Sequence, residues 1–250
     1  MKLLENKVAL ITGASKGIGR SIAQRFVEEG AKVAFTFLSS VERGKSLEDE
    51  LSSLGGEAKG FQSDASSSMQ AEKLINDVIS HFGQIDIIVN NAGITKDTLM
   101  LRMSEEDFDS VINTNLKSVF NTTKHAQRSM LKQRSGSIIN ISSIFGTISK
   151  EKRAIYSATK FGIHGLTVGC SNDLARYNIL VNTVSPGFVL TDLTKTNLSK
   201  LEQKVLSSQI PVKRMAETKD ISSTVIFLLS DLNTYLTGQN IIVDGGFTNV

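Results

Sequence analysis

The 250-residue sequence predicts an α/β fold, a single Rossmann-like domain whose doubly wound parallel sheet carries helices on both faces. Three observations predict it. Short apolar runs bounded by glycine alternate with longer stretches of helical spacing. The apolar runs are rich in Val and Ile without alternation, as strands buried on both faces require. Only 2 prolines interrupt the chain, which suits regular, helix-rich structure.

The elements follow in order. A buried strand over 8–12 leads to a helix over 18–29 that Gly30 stops. A strand over 32–37 precedes a charged amphipathic helix over 41–54, ending at Gly55 and Gly56. A strand over 58–62 is followed by a helix over 69–82 that stops at Gly83. A strand over 85–89 runs into Asn90-Asn91-Ala92-Gly93, and 104–130 reads as one long helix or two fused ones. A strand over 136–141, a helix over 155–176 and a strand over 179–184 come next, the last closed by Ser185-Pro186-Gly187. A helix over 219–229 and a strand over 240–243 complete the chain. Sheets of this kind bind ligands beyond the carboxyl ends of their strands. The loops after Thr12, Phe37, Gln62, Val89, Ile141 and Val184 are therefore the ones that carry function.

Composition excludes other classes. Hydrophobic residues are 40% and charged residues 21%, which argues against disorder, coiled coil and collagen. A net charge of +3 is too small to imply a nucleic acid or membrane partner. The 1 cysteine, Cys170, cannot make an intrachain disulfide and suits a reducing compartment. No signal peptide and no membrane-length apolar run is visible, so a soluble cytoplasmic protein is expected. His81, His125 and His164 are scattered without ligand spacing, so no metal site is expected.

Gly13-Ala14-Ser15-Lys16-Gly17-Ile18-Gly19 follows the first strand. Glycines there let backbone approach a pyrophosphate, and the helix behind supplies free N–H groups and a partial positive charge. The second strand selects the dinucleotide. NAD binders place Asp or Glu at its end, whereas this chain reads Phe37-Leu38-Ser39-Ser40. Lys16 can meet a 2′-phosphate, with Ser39 and Ser40 donating to it. The missing acid and the added cation favour NADP(H), although Lys16 also reads as an ordinary solvated loop lysine. Asp64, followed by Ala65, can accept from an adenine amino group or simply cap the next helix.

Tyr156 and Lys160 stand one helical turn apart on a common face. A phenol with its ordinary pKa of ~10 is a poor acid at neutral pH. A neighbouring ammonium lowers that pKa, as proton transfer during hydride chemistry needs. Ser143 lies just past the strand over 136–141 and can reach a substrate carbonyl oxygen.

With these motifs in view, the sequence resembles the short-chain dehydrogenase/reductase family. The resemblance spans Lys7 to Gly246 and rests on the glycine loop, Asp64, Asn90 to Gly93, Asn115, Ser143, Tyr156, Lys160 and Ser185-Pro186-Gly187. It implies a usually tetrameric enzyme that moves hydride between a nicotinamide and a carbonyl or alcohol. Tyr156 would be the general acid, and Lys160 would lower its pKa and bind the nicotinamide ribose. Ser143 would polarise the carbonyl, and Asn115 would hold a water in a proton relay. Asn91, Ala92, Gly93 and Ile141 would border the cofactor. Pro186, Gly187, Val189 and Thr191 would flank the nicotinamide amide, and the polar 191–214 segment would be a substrate lid.

Within the family the sequence is most similar to 3-oxoacyl-acyl-carrier-protein reductases, through Asn90 to Asp97, Leu101-Arg102-Met103, Asn113 to Phe120 and Val243-Asp244-Gly245-Gly246. That likeness implies reduction of a 3-oxoacyl thioester by NADPH, with Arg134 docking an acidic carrier protein. Two departures stand out. The stretch around Arg176–Ile179 reads as about four residues short, leaving the second docking arginine without a counterpart. Arg153 also stands three residues before Tyr156, where such reductases usually carry Gln. A bidentate arginine there would suit a carboxylate or phosphate, or it belongs to a solvated basic loop. Two further readings therefore remain at this point: the same chemistry on a sugar-derived or other anionic carbonyl, and a catalytically silent nucleotide-binding sensor or scaffold.

Overall fold

The computed structural model describes residues 2–249. Seven strands, β1 Val8–Ile11, β2 Lys32–Phe37, β3 Ala58–Gln62, β4 Ile87–Asn90, β5 Gly136–Ile141, β6 Ile179–Pro186 and β7 Asn240–Val243, pair in parallel throughout. Their order is β3-β2-β1-β4-β5-β6-β7. The chain starts at β1, builds outward to β3, then returns to β4 on the other side of β1. The strand order reverses there, so the loops after β1 and β4 diverge and leave a crevice between them.

Side chains along each strand alternate between two cores. Ala9 and Ile11 of β1 belong to one core, with Ile22 and Phe26 from helix α1 (Gly17–Glu28), Leu47 from α2 (Val41–Ser53) and Ile221 from α9 (Thr218–Leu229). Val8 and Leu10 belong to the other. There they meet Leu74 and Val78 of α3 (Ser68–Phe82), Met130 of α5 (Ser118–Gln133) and Leu174 of α6 (Ala154–Leu174).

The 104–130 stretch divides in two. Helix α4 (Glu105–Ile112) passes through a π-turn over Asn113–Lys117 into α5. The wider turn places Asn115 inward, fully buried, with its side-chain amide donating to the Ile94 carbonyl at 2.9 Å and its oxygen accepting from the Ile94 N–H at 2.8 Å. The 191–214 segment contains two helices, α7 (Asp192–Asn197) and α8 (Lys200–Gln209), the second held at its start by a Ser199–Glu202 capping box. Helix α6 ends in a 3₁₀ turn over Ala175–Tyr177, and Asn178, at φ 60°, turns the chain into β6. Among the described residues no helix is long and apolar enough to cross a membrane, and no group of three or more His, Cys, Asp or Glu could hold a metal ion.

Candidate active site

The crevice is closed at its base by a lock between the first and fourth strands. The Thr12 hydroxyl accepts from the backbone N–H groups of Asn91 and Ala92 at 3.0 and 3.1 Å. The Asn91 side chain answers by donating to the carbonyls of Thr12 and Gly13 at 2.9 and 3.0 Å. The glycines make this approach possible. A methyl group on Gly19 would stand 2.5 Å from the Asn91 amide nitrogen, and one on Gly13, whose φ is +65°, would stand 2.9 Å from the Ala92 Cα. Gly17 adopts φ +61°, with the Thr191 methyl over it.

Helix α1 starts at this loop without a side-chain cap, whereas Ser67, Ser104 and Ser199 cap α3, α4 and α8. Its first N–H groups thus take no side-chain cap and stay available to a phosphate. Lys16 is exposed at the N-cap, and Ser39 and Ser40 follow the neighbouring strand β2. Asp64 does not cap α3, because Ser67 does. One Asp64 carboxylate oxygen instead accepts from the Ser66 N–H at 2.9 Å. Asn121 of α5 braces the same turn by donating to the carbonyls of Ala65 and Ser66. On the far wall Gly187 donates to the Val243 carbonyl, and Val189 bridges to Ala216. Thr191 caps α7.

The second cluster forms beyond β5. Ser143 caps a short 3₁₀ turn, its hydroxyl accepting from the Phe145 N–H at 3.2 Å. Tyr156 and Lys160 face this turn from α6. The Lys160 ammonium donates to the Ile141 carbonyl at 2.9 Å and lies 5.6 Å from the centre of the Tyr156 ring. It also flanks Gly93, where an added Cβ would come within 3.7 Å of it. Lys160 is buried, and loss of hydration lowers its pKa to about 8. Burial pushes the half-buried Tyr156 phenol above its ordinary value; the Ser143 hydroxyl and the Arg153 charge pull it back, and Asp97 pushes it up. Asn115 joins the cluster from beneath, donating to the Thr159 hydroxyl at 3.2 Å. Ser143, Tyr156, Lys160 and Asn115 thus converge from three separate elements. A carbonyl oxygen placed there meets a hydroxyl donor, a phenolic acid and a cation.

Arg153 lies beside this cluster, but its charge is engaged. One guanidinium nitrogen contacts Asp97 at 2.7 Å and another donates to the Thr95 hydroxyl at 3.1 Å. Arg134 is not part of the cluster. It closes α5 in a left-handed conformation at the opposite end of β5 from Ser143. Arg176, from the stretch that reads as short, stands near it. The guanidinium groups of Arg134 and Arg176 lie 5.8 and 5.0 Å from the centre of the Tyr177 ring. The 3₁₀ turn that extends α6 brings Arg176 there.

Sequence reasoning missed several supporting residues. A buried chain of hydrogen bonds runs from Thr123 through Asn90, Asn140 and Thr167 to Thr183. It joins β4, β5 and β6 to α5 and α6. Polar residues in otherwise apolar strands were the available signal, since a buried amide persists only where partners satisfy it. Thr36 was equally silent; its hydroxyl accepts from the Gly13 N–H at 3.0 Å and fixes the glycine loop.

The fold and this site define a nicotinamide-dependent oxidoreductase acting on CH–OH or C=O groups, and comparisons with known proteins agree. The family described as Enoyl-(Acyl carrier protein) reductase matches residues 13–248. A putative short-chain alcohol dehydrogenase from Sinorhizobium meliloti superposes with a TM-score of 0.94 at 32% identity, covering 98% of both chains. A Serratia marcescens short-chain dehydrogenase/reductase mutant gives 0.92 at 31%, over 98% of this chain and 99% of that one. The chain belongs to the short-chain dehydrogenase/reductase family. Its similar relatives include the 3-oxoacyl-(acyl-carrier-protein) reductase FabG of Staphylococcus epidermidis, 46% identical over 96% of this chain and 98% of the relative. The FabG of Thermotoga maritima is 42% identical over 97% and 98%.

Proposed function

We propose that this protein is an NADPH-dependent reductase of 3-oxoacyl thioesters, its acyl group presented on acyl carrier protein. The observation that carries the reading is the convergence of Ser143, Tyr156 and Lys160 beside the glycine cradle, in a chain 46% identical to a FabG. The uncapped start of α1 and the close-approach glycines fit a dinucleotide pyrophosphate. Exposed Lys16, with Ser39 and Ser40 and no acid at the end of β2, supports the 2′-phosphate form. Asp64 and Ala65 take the adenine side. Ile141, Pro186, Gly187, Val189 and Thr191 border the nicotinamide.

When bound, NADPH supplies the hydride to the carbonyl carbon. The Ser143 hydroxyl hydrogen-bonds the carbonyl oxygen and fixes its direction. Tyr156 gives its phenol proton to that oxygen as negative charge develops there. Lys160, tethered to the Ile141 carbonyl, stabilises the phenolate left behind. The side chain of Asn115 pins the Ile94 turn near Gly93 and Lys160, where a water would return the proton. The α7–α8 segment closes over the acyl chain as a lid.

Exposed apolar side chains support a homotetramer. Phe108, Phe120 and Phe161 form one set on α4 to α6, and Phe227, Tyr235 and Ile242 another around α9 and the edge strand β7. A two-fold packing with α5 antiparallel would carry the Arg134–Tyr177–Arg176 cluster of each copy toward the active-site end of the other. That arrangement supports docking of an acidic carrier protein. The anionic-substrate alternative is less well supported, because Asp97 already neutralises Arg153.

The test is nicotinamide oxidation with NADPH and NADH, using a 3-oxoacyl pantetheine thioester and the same acyl group on carrier protein. We expect turnover with NADPH, increased by the carrier protein. Tight NADPH binding without turnover of either thioester would overturn the substrate assignment.

A further inference from the structure

The Arg153 cluster is more elaborate than a solvated loop. Its guanidinium lies 5.4 Å from the centre of the Tyr156 ring and 5.4 Å from that of Phe145, with those two rings packed edge to face at 6.4 Å. Asp97 and Thr95 hold it there from the loop after β4, and the Thr95 hydroxyl itself donates to Asp97. Arg153 is the N-cap residue of α6 and contributes no side-chain cap to that helix. Its side chain reaches instead across the mouth of the site. The pair closes the space between the Ile94 turn, which Asn115 pins, and the helix that carries Tyr156 and Lys160.

We propose that Arg153 is a positioning residue for the catalytic tyrosine: held by Asp97 and Thr95, it keeps a second cation against the Tyr156 ring, and Asp97 sets how much of that charge the phenol feels. The inference rests on Tyr156 being the proton donor.

The charged and titratable groups facing Tyr156 are few. Lys160 approaches from its own helix at 5.6 Å. Arg153 approaches from the start of the same helix, and Asp97 stands behind it on the loop after β4. Lys150 lies 5.4 Å from the centre of the Phe145 ring. Ser143 faces the phenol from the turn after β5. The two near cations differ in kind. Lys160 is buried and has a pKa near 8, so it loses its charge on the alkaline side. A guanidinium stays charged throughout that range. Arg153 therefore sets a guanidinium beside Tyr156 in addition to the Lys160 ammonium, and the Asp97 carboxylate paired with it attenuates its field.

Opposite signs at Arg153 and Asp97 separate this electrostatic role from a purely mechanical strap. The experiment is an ultraviolet difference titration of tyrosine ionisation on the full-length, ligand-free enzyme. Subtracting the Tyr156→Phe curve removes Tyr177 and Tyr235. Arg153→Gln is expected to raise the Tyr156 pKa by about half a unit to one unit, and Asp97→Asn to lower it by a similar amount. Arg153→Lys is expected to keep it near the wild-type value. The alkaline limb of the reduction pH profile should move in step, to higher pH in Arg153→Gln and to lower pH in Asp97→Asn. Shifts of the same sign in both variants, or none in either while the melting temperature falls, would overturn the proposal. Circular dichroism checks folding, and if the Gln variant unfolds Asp97→Asn carries the test: no lowering of the Tyr156 pKa there would overturn the proposal. The titration needs no substrate. A wild-type enzyme inert toward 3-oxoacyl thioesters would therefore overturn the substrate assignment and leave this result readable.

Discussion

The two halves of the sheet are built from different materials. Strands β1 and β2 have almost wholly apolar interiors, and the crevice above them is made of glycines and backbone N–H groups. Strands β4 to β6 bury Asn90, Asn140, Asn182, Thr183 and Ser185, and the helices over them add Asn115, Thr159, Lys160 and Thr167. The first half offers close approach and partial charge, which suit a phosphate of any nucleotide. The second half spends buried polar side chains to hold a few reacting groups in fixed positions. Steric substitutions should therefore damage the first half, and removal of single polar atoms the second.

The sharpest contrast sets Tyr156→Phe against Gly19→Ala. Removing the phenolic oxygen should lower turnover by about 10²–10⁴-fold or more while leaving NADPH affinity and fold intact. Gly19→Ala puts a methyl group 2.5 Å from the Asn91 amide nitrogen and 2.9 Å from the Ala14 Cα. It must break the hydrogen bonds that lock the first and fourth strands, so cofactor affinity and turnover should fall together. Fluorescence titration with NADPH beside steady-state kinetics distinguishes them. Equal loss of cofactor affinity in both variants would erase the division between the halves.

Lys160 tests the cost of the polar half. Its pKa is lowered from 10.5 in an unfolded chain to about 8 in the folded one. The unfolded state therefore binds more protons between these values, and stability rises with pH across that window. Below the folded pKa the full cost is present, about 3 kcal/mol. Lys160→Met removes that cost along with the hydrogen bond to the Ile141 carbonyl, itself worth about 1 kcal/mol. The variant should be inactive yet more stable than wild type by about 2 kcal/mol at neutral pH. Denaturant unfolding at several pH values should show that advantage shrinking above pH 8. A constant difference would mean that Lys160 stays protonated in the folded state across that window. Thr167→Val strands the Asn140 amide that donates to it at 2.8 Å. A stability loss of about 1–3 kcal/mol with turnover unchanged would place that chain of hydrogen bonds in the scaffold alone.

The same division governs what the sequence could reveal. The first half is legible because its chemistry is local. The glycine spacing from Gly13 to Gly19, the strand before it and the missing acid after Phe37 lie close together in the chain, and β2 and β3 fall on the runs over 32–37 and 58–62. The proposed catalytic residues are legible only as a set, since Tyr156 and Lys160 alone read as a helix-surface pair. Their supports are not legible. Asn90, Asn140, Thr167 and Thr183 come from four elements, and nothing local says that their side chains meet. The π-turn was hidden for a related reason: the Ile94 backbone that occupies Asn115 lies 21 residues away. Arg153 shows the limit most clearly. Its place before Tyr156 was visible, but its partner Asp97 comes from the other wall of the site. Helix α8, by contrast, announced itself in the Ser199–Glu202 spacing of a capping box, a signal overlooked within a segment read as polar lid.

Coenzyme choice carries the smallest expected effect and sharpens the comparison at its most exposed point. Lys16 contributes a solvated side chain to a half otherwise built of backbone. An exposed ion pair is worth about 0.2–1 kcal/mol and weakens with salt. Lys16→Ala should therefore raise the dissociation constant for NADPH by no more than about fivefold, leave that for NADH unchanged, and flatten the salt dependence of NADPH binding. Ser39 and Ser40, at the end of the adjacent strand, would supply the remainder of the 2′-phosphate site. If Lys16→Ala weakens both coenzymes equally, the lysine serves the shared pyrophosphate instead. The preference would then come from the missing acid and the two serines alone.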